Sequence, residues 1–295
     1  AHGRHQMIPV ELILLALAPL FLGFIAWEWF SSRKLTPARY RWQDSAANAV
    51  LALLHQGSDM LALLLLMPFF IWLHQYRLFE IELSAGNIAI AFLLQDFLYY
   101  WFHRASHHVR WLWASHVTHH SSRLMNFSTA LRQSLTYPLS GMWLFWTPMI
   151  LLGFAPTLVF AVVALNLAFQ FFVHTQAVKK LGMLEWVFNT PSHHRVHHAC
   201  NARYIDKNFA GVLIIWDRLF GTFVPEQNDD PCRYGITDDF NSDNPLLITF
   251  YEWRRMLSDG RQSKSGKQLL TVMFGAPKRQ SVTGEEGRGY DSVET

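Results

Sequence analysis

The stretch DFLYYWFHRASHHVRWLWASHVTHHSSR, residues 96–123, changes character after Phe102: an aromatic, apolar run stops and six histidines follow within residues 103–120. On a helix, positions i, i+3 and i+4 share a face. His103 and His107 of HRASH therefore project together, as do His116, His119 and His120 of HVTHH. An apolar helix ending in convergent imidazoles places a ligand-rich site at the end of a hydrophobic span.

Further along, TPSHHRVHHACN (190–201) carries a second H-x-x-H-H copy, HRVHH at His194–His198. Thr190-Pro191 reads as an N-cap followed by proline at the first helical position, which starts a helix just before the copy. Of the chain's 15 histidines, ten lie within 103–120 and 193–198, and His174 stands between the two clusters. Imidazole is the common ligand for zinc, iron, copper and nickel, and an ion takes about three or four protein ligands, so eight or nine histidines suffice for two ions. Uncoordinated rings packed this closely would leave lone pairs and donors unpaired. His193 stands outside the H-x-x-H-H pattern and is either a further ligand or a donor that orients one. Isolated His55, His74 and His108 read as interfacial polar residues.

The chain is 51% hydrophobic and 16% charged, with apolar residues gathered in blocks at 8–30, 46–73, 86–102 and 135–174, the last broken by GFAP at 153–156. Each block approaches the roughly 20 residues a helix needs to cross a bilayer. The first is too long for a signal-peptide core, so it reads as a retained span. The leading AHGRHQ reads as an added leader, and His2 and His5 receive no role. Arg33, Lys34, Arg39 and Arg41 make the first loop cytoplasmic, and alternation with GFAP as a hairpin tip brings every histidine cluster to that face.

The expected fold is all-α: a polytopic membrane helical bundle of roughly four to five spans with a cytoplasmic helical cap carrying a histidine-rich dimetal site. The expected division is 1–178 (spans and first two histidine boxes), 179–257 (a soluble cytoplasmic region with the third) and 258–295 (a polar tail). Within that tail, KQLLTVMFGAP is an amphipathic surface helix and TGEEGRGYDSVET is disordered. Two cysteines, Cys200 and Cys232, suggest neither a disulfide framework nor a metal pair. A net charge of +3 without a basic stripe argues against nucleic acid.

Asp96 lies seven residues before His103 inside an apolar block, where a carboxylate is costly, and is the candidate acceptor for a histidine N–H. Asp217 and Arg218 read as an ion pair; Asn126, Asn189 and Asn208 either orient histidines or cap helices. No dinucleotide fingerprint, haem-attachment or iron–sulfur motif is present, so electrons come from a separate donor.

Together, HRASH, HVTHH and HRVHH, with DFLYYWFHR before the first and NARYIDKNFAGVLIIWDRLFGTF after the last, resemble the fatty acid hydroxylase/sterol desaturase superfamily of integral membrane di-iron enzymes. The resemblance covers 94–223 well. The run 189–223 and LLTVMFGAP are most similar to its bacterial sterol-desaturase-like and alkylglycerol monooxygenase branches. It implies two non-haem iron ions, with zinc able to stand in for iron in a purified sample, and O2 as oxidant. The implied ligands are His103, His107, His116, His119, His120, His194, His197 and His198, with His174 as the additional histidine and His193 held as ligand or orienting donor. It also implies hydroxylation or desaturation of a lipid entering from the bilayer, a separate reductase with ferredoxin or cytochrome, and a bacterial inner-membrane location. The alkylglycerol monooxygenase branch suggests tetrahydrobiopterin as a donor. A non-redox membrane zinc hydrolase is the alternative.

Overall fold

The computed structural model describes residues 10–35 and 39–278, with side chains from Ala16 onward; AHGRHQ and TGEEGRGYDSVET lie outside the described residues. Among the described residues the chain is helical and has no strand, only two isolated bridges, Phe188 with Leu213 and Ala199 with Tyr234. The all-α expectation holds.

The first two apolar blocks form α1 (Val10–Ser32) and α2 (Trp42–His74). At about 1.5 Å per residue α2 is about 50 Å long. It is the one described helix long and apolar enough to cross a membrane, and only 6% of its apolar window is buried within the protein. Helix α3 (Ala85–His108) begins where the Ser84 hydroxyl accepts from the Asn87 N–H, an N-cap that satisfies one of the helix's orphan donors.

Residues 135–174 differ from the two spans expected. They form α5 (Tyr137–Ser140), a 3-10 turn (Met142–Trp146), α6 (Thr147–Leu152) and α7 (Pro156–Phe171). Pro138, Pro148 and Pro156 each open a new helix, while Gly141 (φ 81°) and Gly153 (φ 126°) end the preceding segments in backbone conformations that favour glycine. Beside α2, α1 runs for 23 residues, and shorter apolar helices lie at 142–152 and 156–171. The main core fills the space between α2, α3, α6 and α7, with Phe70, Tyr99, Trp146, Ile150 and Phe160 among its buried side chains.

The ends of α2 separate two environments. At its carboxyl end, His74 contacts the Gly153 carbonyl (3.2 Å) and Leu78 N–H donates to Leu151 (2.8 Å), so the GFAP turn sits there. At its amino end, Asp44 accepts from Ser122 and Arg132, and Asn48 bonds Ser128 and Arg132, so the histidine boxes sit at the opposite end.

Helix α4 (Arg110–His120) follows α3 after the single extended residue Val109; α8 (Pro191–His198), α9 (Ile215–Leu219), α10 (Pro245–Arg261) and α11 (Gly266–Phe274) complete the fold. Leu257, the expected domain limit, lies inside α10. Residues 258–278 of the expected polar tail pack against the fold: α10 and α11 lie over α4, the buried Arg110 guanidinium donates to Glu252 and Asp259 (both 2.7 Å), and Arg110 N–H donates to the Gly275 carbonyl.

Candidate metal centre

Three helices deliver the histidines. The end of α3 supplies His103 and His107, α4 supplies His116, His119 and His120, and α8 supplies His194, His197 and His198; His174 follows α7. Thr190 is extended and Pro191 opens α8, but the Thr190 hydroxyl makes no capping bond and turns to Glu185 and Ser192 instead. All nine rings are buried and fall into two sets: His103, His107, His116, His120 and His197; and His119, His174, His194 and His198. Within each set the ligand atoms lie within 4.8 Å of one another. The sets adjoin, with His120 stacked on His198 at 4.4 Å between centroids.

The Nε2 atoms point inward. His116 Nε2 lies 3.0 Å from His103 Nε2 and 3.1 Å from His120 Nε2. His174 Nε2 lies 3.1 Å from His119 Nε2 and 2.9 Å from His194 Nε2, which is 3.1 Å from His198 Nε2. The Nδ1 atoms point outward. His103, His119, His174 and His197 donate Nδ1–H to the carbonyls of Phe209 (2.8 Å), Arg132 (3.1 Å), Gln170 (2.6 Å) and Lys207 (3.0 Å). His107 Nδ1 meets the Asp206 carboxylate at 3.2 Å, and His116 Nδ1 meets the Tyr137 hydroxyl at 2.7 Å.

A carbonyl only accepts, so each ring donating to one carries its proton on Nδ1 and presents a bare lone pair at Nε2; at His119 the Arg132 carbonyl (3.1 Å) is nearer than Gln133 Nε2 (3.3 Å), which donates to the Ala130 carbonyl. His119 and His174 therefore face one another lone pair to lone pair. A proton between them would resolve the repulsion, but burial, reinforced for most rings by neighbouring imidazoles, holds His116, His120, His194, His197 and His198 well below the ordinary histidine range and pushes His119 down to about 4. A cation fits: two imidazoles bound at about 2.1 Å to one ion stand about 3.0–3.4 Å apart. The donor set suits a metal, and the outward acceptors supply the orientation that metal-bound histidines require.

One loop carries much of that orientation. Asp206 and Asn208 adopt left-handed backbone (φ 58° and 57°), a conformation that costs a non-glycine residue about 1–3 kcal/mol. The result aims the Asp206 carboxylate and the Lys207 and Phe209 carbonyls at three rings of one set. The loop is pinned from outside. Asp217 accepts from the N–H groups of Phe209 and Ala210 (both 2.8 Å) and from the Thr222 hydroxyl. Asn189 donates to the Ala210 and Gly211 carbonyls, and Asn208 donates to the carbonyls of His193 and Val224.

Asp96 belongs to this pinning. Its carboxylate accepts from Val212 N–H (2.8 Å), Leu213 N–H (3.0 Å), Trp216 Nε1 (2.9 Å) and Asn166 Nδ2 (2.8 Å), and no histidine is among these donors. Its oxygen and those of its neighbours come so close to Gly211 that a Cβ there would lie 2.6 Å from Asn166 Oδ1 and 3.0 Å from Asp96 Oδ1. The Asp217–Arg218 ion pair does not form either: Arg218 turns away, stacks on Phe223 and Trp186 and donates to the Glu185 carbonyl. Asn126 caps the 3-10 turn Phe127–Leu131.

His193 lies outside both sets. It is buried, with Nε2 at 3.8 Å from Glu185, its ring edge-on to Phe223, and Nδ1 without a hydrogen-bond partner among the described residues. A residue absent from the expected site belongs near it: Glu28 of α1, fully buried, accepts from Tyr40 Oη (2.6 Å), from Phe127 N–H (2.8 Å) and from the hydroxyl of Thr175, the neighbour of His174. A lone carboxylate in an apolar block was the available signal, the same that drew attention to Asp96. Beside His107, His120, His197 and His198 a pocket opens, walled by Trp113, Cys200, Ile205, Asp206 and Ile236.

Residues 88–222 match the family model described as fatty acid hydroxylase. The chain is 52% identical over 177 residues to alkylglycerol monooxygenase of Danio rerio, covering 58% of this chain and 39% of that protein. It is 48% identical over 184 residues to alkylglycerol monooxygenase of Homo sapiens (62% and 40%). To ornithine lipid hydroxylase OlsE of Rhizobium tropici it is 32% identical over 155 residues (52% and 46%). The matches span less than half the length of each of these relatives. No solved structure matches. Both converging histidine sets fall inside the residues that match the fatty acid hydroxylase family model.

Proposed function

We propose that the protein is a membrane-bound, O2-dependent lipid monooxygenase with two iron ions. His103, His107, His116, His120 and His197 would hold one, and His119, His174, His194 and His198 the other. The observation that carries the reading is the pairing of two Nδ1-protonated rings, His119 and His174, through Nε2 atoms 3.1 Å apart, which a shared cation relieves. When bound, a pair of iron ions supplies activation of O2 for oxidation of an unactivated C–H bond.

The chain's own residues prepare that chemistry. The Phe209, Lys207, Arg132 and Gln170 carbonyls fix the tautomers of four rings, and Asp206 fixes the orientation of His107. Burial keeps the rings of α4 and α8 neutral at pH 7, the form that binds metal. Helices α10 and α11 cover α4 from outside and limit water entry. The pocket at His107, His120, His197 and His198, with Trp113 and Ile236 on its walls, is where an apolar carbon would approach. In this reading Asp96 and Asp217 act through the loop they pin, and His193 is left out of the ligand set.

Relatives named for an alkylglycerol and for an ornithine lipid support a polar lipid as substrate. The histidine end of α2 would face the cytoplasm, following the Lys and Arg bias of residues 33–41. Because those relatives come from both animals and a bacterium, the reading is of a cell membrane and is not narrowed to a bacterial inner one. Electrons would come from a separate reductase chain or a reduced pterin.

Two measurements test the function. Purified protein from iron-replete cells should contain two irons per chain, and lipid extracts of a host making it should gain species heavier by one oxygen atom. Zinc in place of iron in protein from iron-replete cells, with no O2 uptake on any added lipid after reloading with iron, would overturn this reading in favour of the non-redox zinc enzyme.

A further inference from the structure

The segment after α7 does not have the surface of a soluble cap. The 3-10 turn Gly182–Trp186 and α9 expose large apolar side chains: Met183 is 87% exposed, Trp186 68% and Leu219 67%, with Leu184 and Ile215 beside them. Their backbones are joined, since Ile214 N–H donates to the Val187 carbonyl and Phe188 bridges Leu213. Exposed Lys179 and Lys180 precede the patch, and Arg218 lies over the Trp186 ring at 5.0 Å.

We propose that this surface is a second membrane contact, seated in the headgroup layer of the bilayer that α2 crosses and favouring anionic lipid. The proposal deepens the membrane-bound reading above and rests on it. Continuity argues for lipid. Phe188 meets Phe169 of α7, Trp216 meets Phe97 of α3, and Phe220 meets Trp101, so the patch extends the outward apolar faces of two membrane-side helices. Composition argues for the interface: tryptophan and long apolar side chains with flanking Lys and Arg are what an element lying in the headgroup region carries, whereas lysine is depleted from protein–protein interfaces. The contact would hold α8 and the pinned loop at fixed depth, with the pocket within reach of a lipid.

The test uses the full chain in nanodiscs of phosphatidylcholine with or without phosphatidylglycerol. Nitroxides are placed singly at Met183, Leu219, Leu64 on α2 and Arg203, with Cys200 and Cys232 replaced by Ser. The ratio of accessibility to O2 over that to a water-soluble nickel complex should be several-fold higher at 183 and 219 than at 203. It should rise further with phosphatidylglycerol, and Lys179→Gln with Lys180→Gln should remove that rise. A ratio at 183 equal to that at 203, while 64 stays lipid-like, overturns the proposal and spares the membrane-bound reading. Dipolar broadening between labels at 183 on separate chains overturns it in favour of a second copy. Water-like accessibility at 64 overturns both. With the native chain, a phosphatidylglycerol bearing a headgroup-proximal diazirine should tag the tryptic peptide that follows Lys180; absence of that tag in discs where α2 is tagged also overturns it.

Discussion

His119 and His174 face each other through Nε2 atoms 3.1 Å apart while each donates its Nδ1 proton to a carbonyl, of Arg132 and Gln170. Neither ring can turn to relieve the other without abandoning a buried hydrogen bond worth about 1 kcal/mol. His174→Ala should therefore lower bound iron from two to about one per chain, because one of the set's four ligands is lost and the five-histidine set keeps all of its own. Metal analysis on the purified variant reads this directly, and two retained irons would remove His174 from the ligand set.

Glu28 holds three buried donors, Tyr40 Oη, Phe127 N–H and the Thr175 hydroxyl. Removing the acceptor leaves them unpaired, at about 1–3 kcal/mol for a stranded buried group. Glu28→Ala should lower the thermal midpoint and, because Thr175 adjoins His174, shed iron from the four-histidine set before the other. Glu28→Gln, which keeps one accepting oxygen, should recover part of both losses. Equal loss of both irons would mean that Glu28 serves the fold as a whole.

Local sequence spacing revealed the histidine faces because i, i+3 and i+4 is a property of one helix, and α3, α4 and α8 each keep it. The acceptors behind the rings were hidden for the opposite reason. Phe209 reaches His103 across 106 residues and Thr175 reaches Glu28 across 147, and no periodicity records such pairs. Asp96 shows where face arguments fail. Seven residues return it to the face of His103 but displace it by about 10.5 Å along the axis, too far for a carboxylate to touch the ring, so it meets Val212, Leu213 and the start of α9 at Trp216 instead. The 135–174 block misled because apolar composition fixes burial or lipid exposure without fixing length; the prolines and positive-φ glycines that divide it were present in the sequence.

That displacement makes Asp96 a test of indirect support. Asp96→Asn replaces one accepting oxygen with an NH2 group that faces two N–H donors, either Val212 and Asn166 or Leu213 and Trp216. A loss of about 2–4 kcal/mol follows from a stranded donor plus a donor–donor clash. The midpoint should fall while both irons remain bound in the folded protein, since no histidine bond is cut. Loss of one iron at unchanged midpoint would return Asp96 to direct contact with a ligand.

Protons compete with metal for the same Nε2 lone pairs, so the pH at which iron leaves depends on the pKa values of the apo site together with its affinity for iron. An unperturbed imidazole titrates near 6.5, whereas burial moves His119 to about 4 and holds the α8 rings well below the ordinary range. These shifts are downward, so between 6.5 and about 4 the unfolded chain binds more protons than the folded one. Stability is then complete above 6.5 and falls as pH drops through that window. Iron loading should accordingly hold from pH 7 to below 6.5 and decline toward about 4, and the metal-free protein should lose thermal stability over the same interval. Metal retention after dialysis and melting curves across the range measure both, and half-loss of iron at or above 6.5 would show that the rings are solvated and not the buried, neutral ligands the geometry requires.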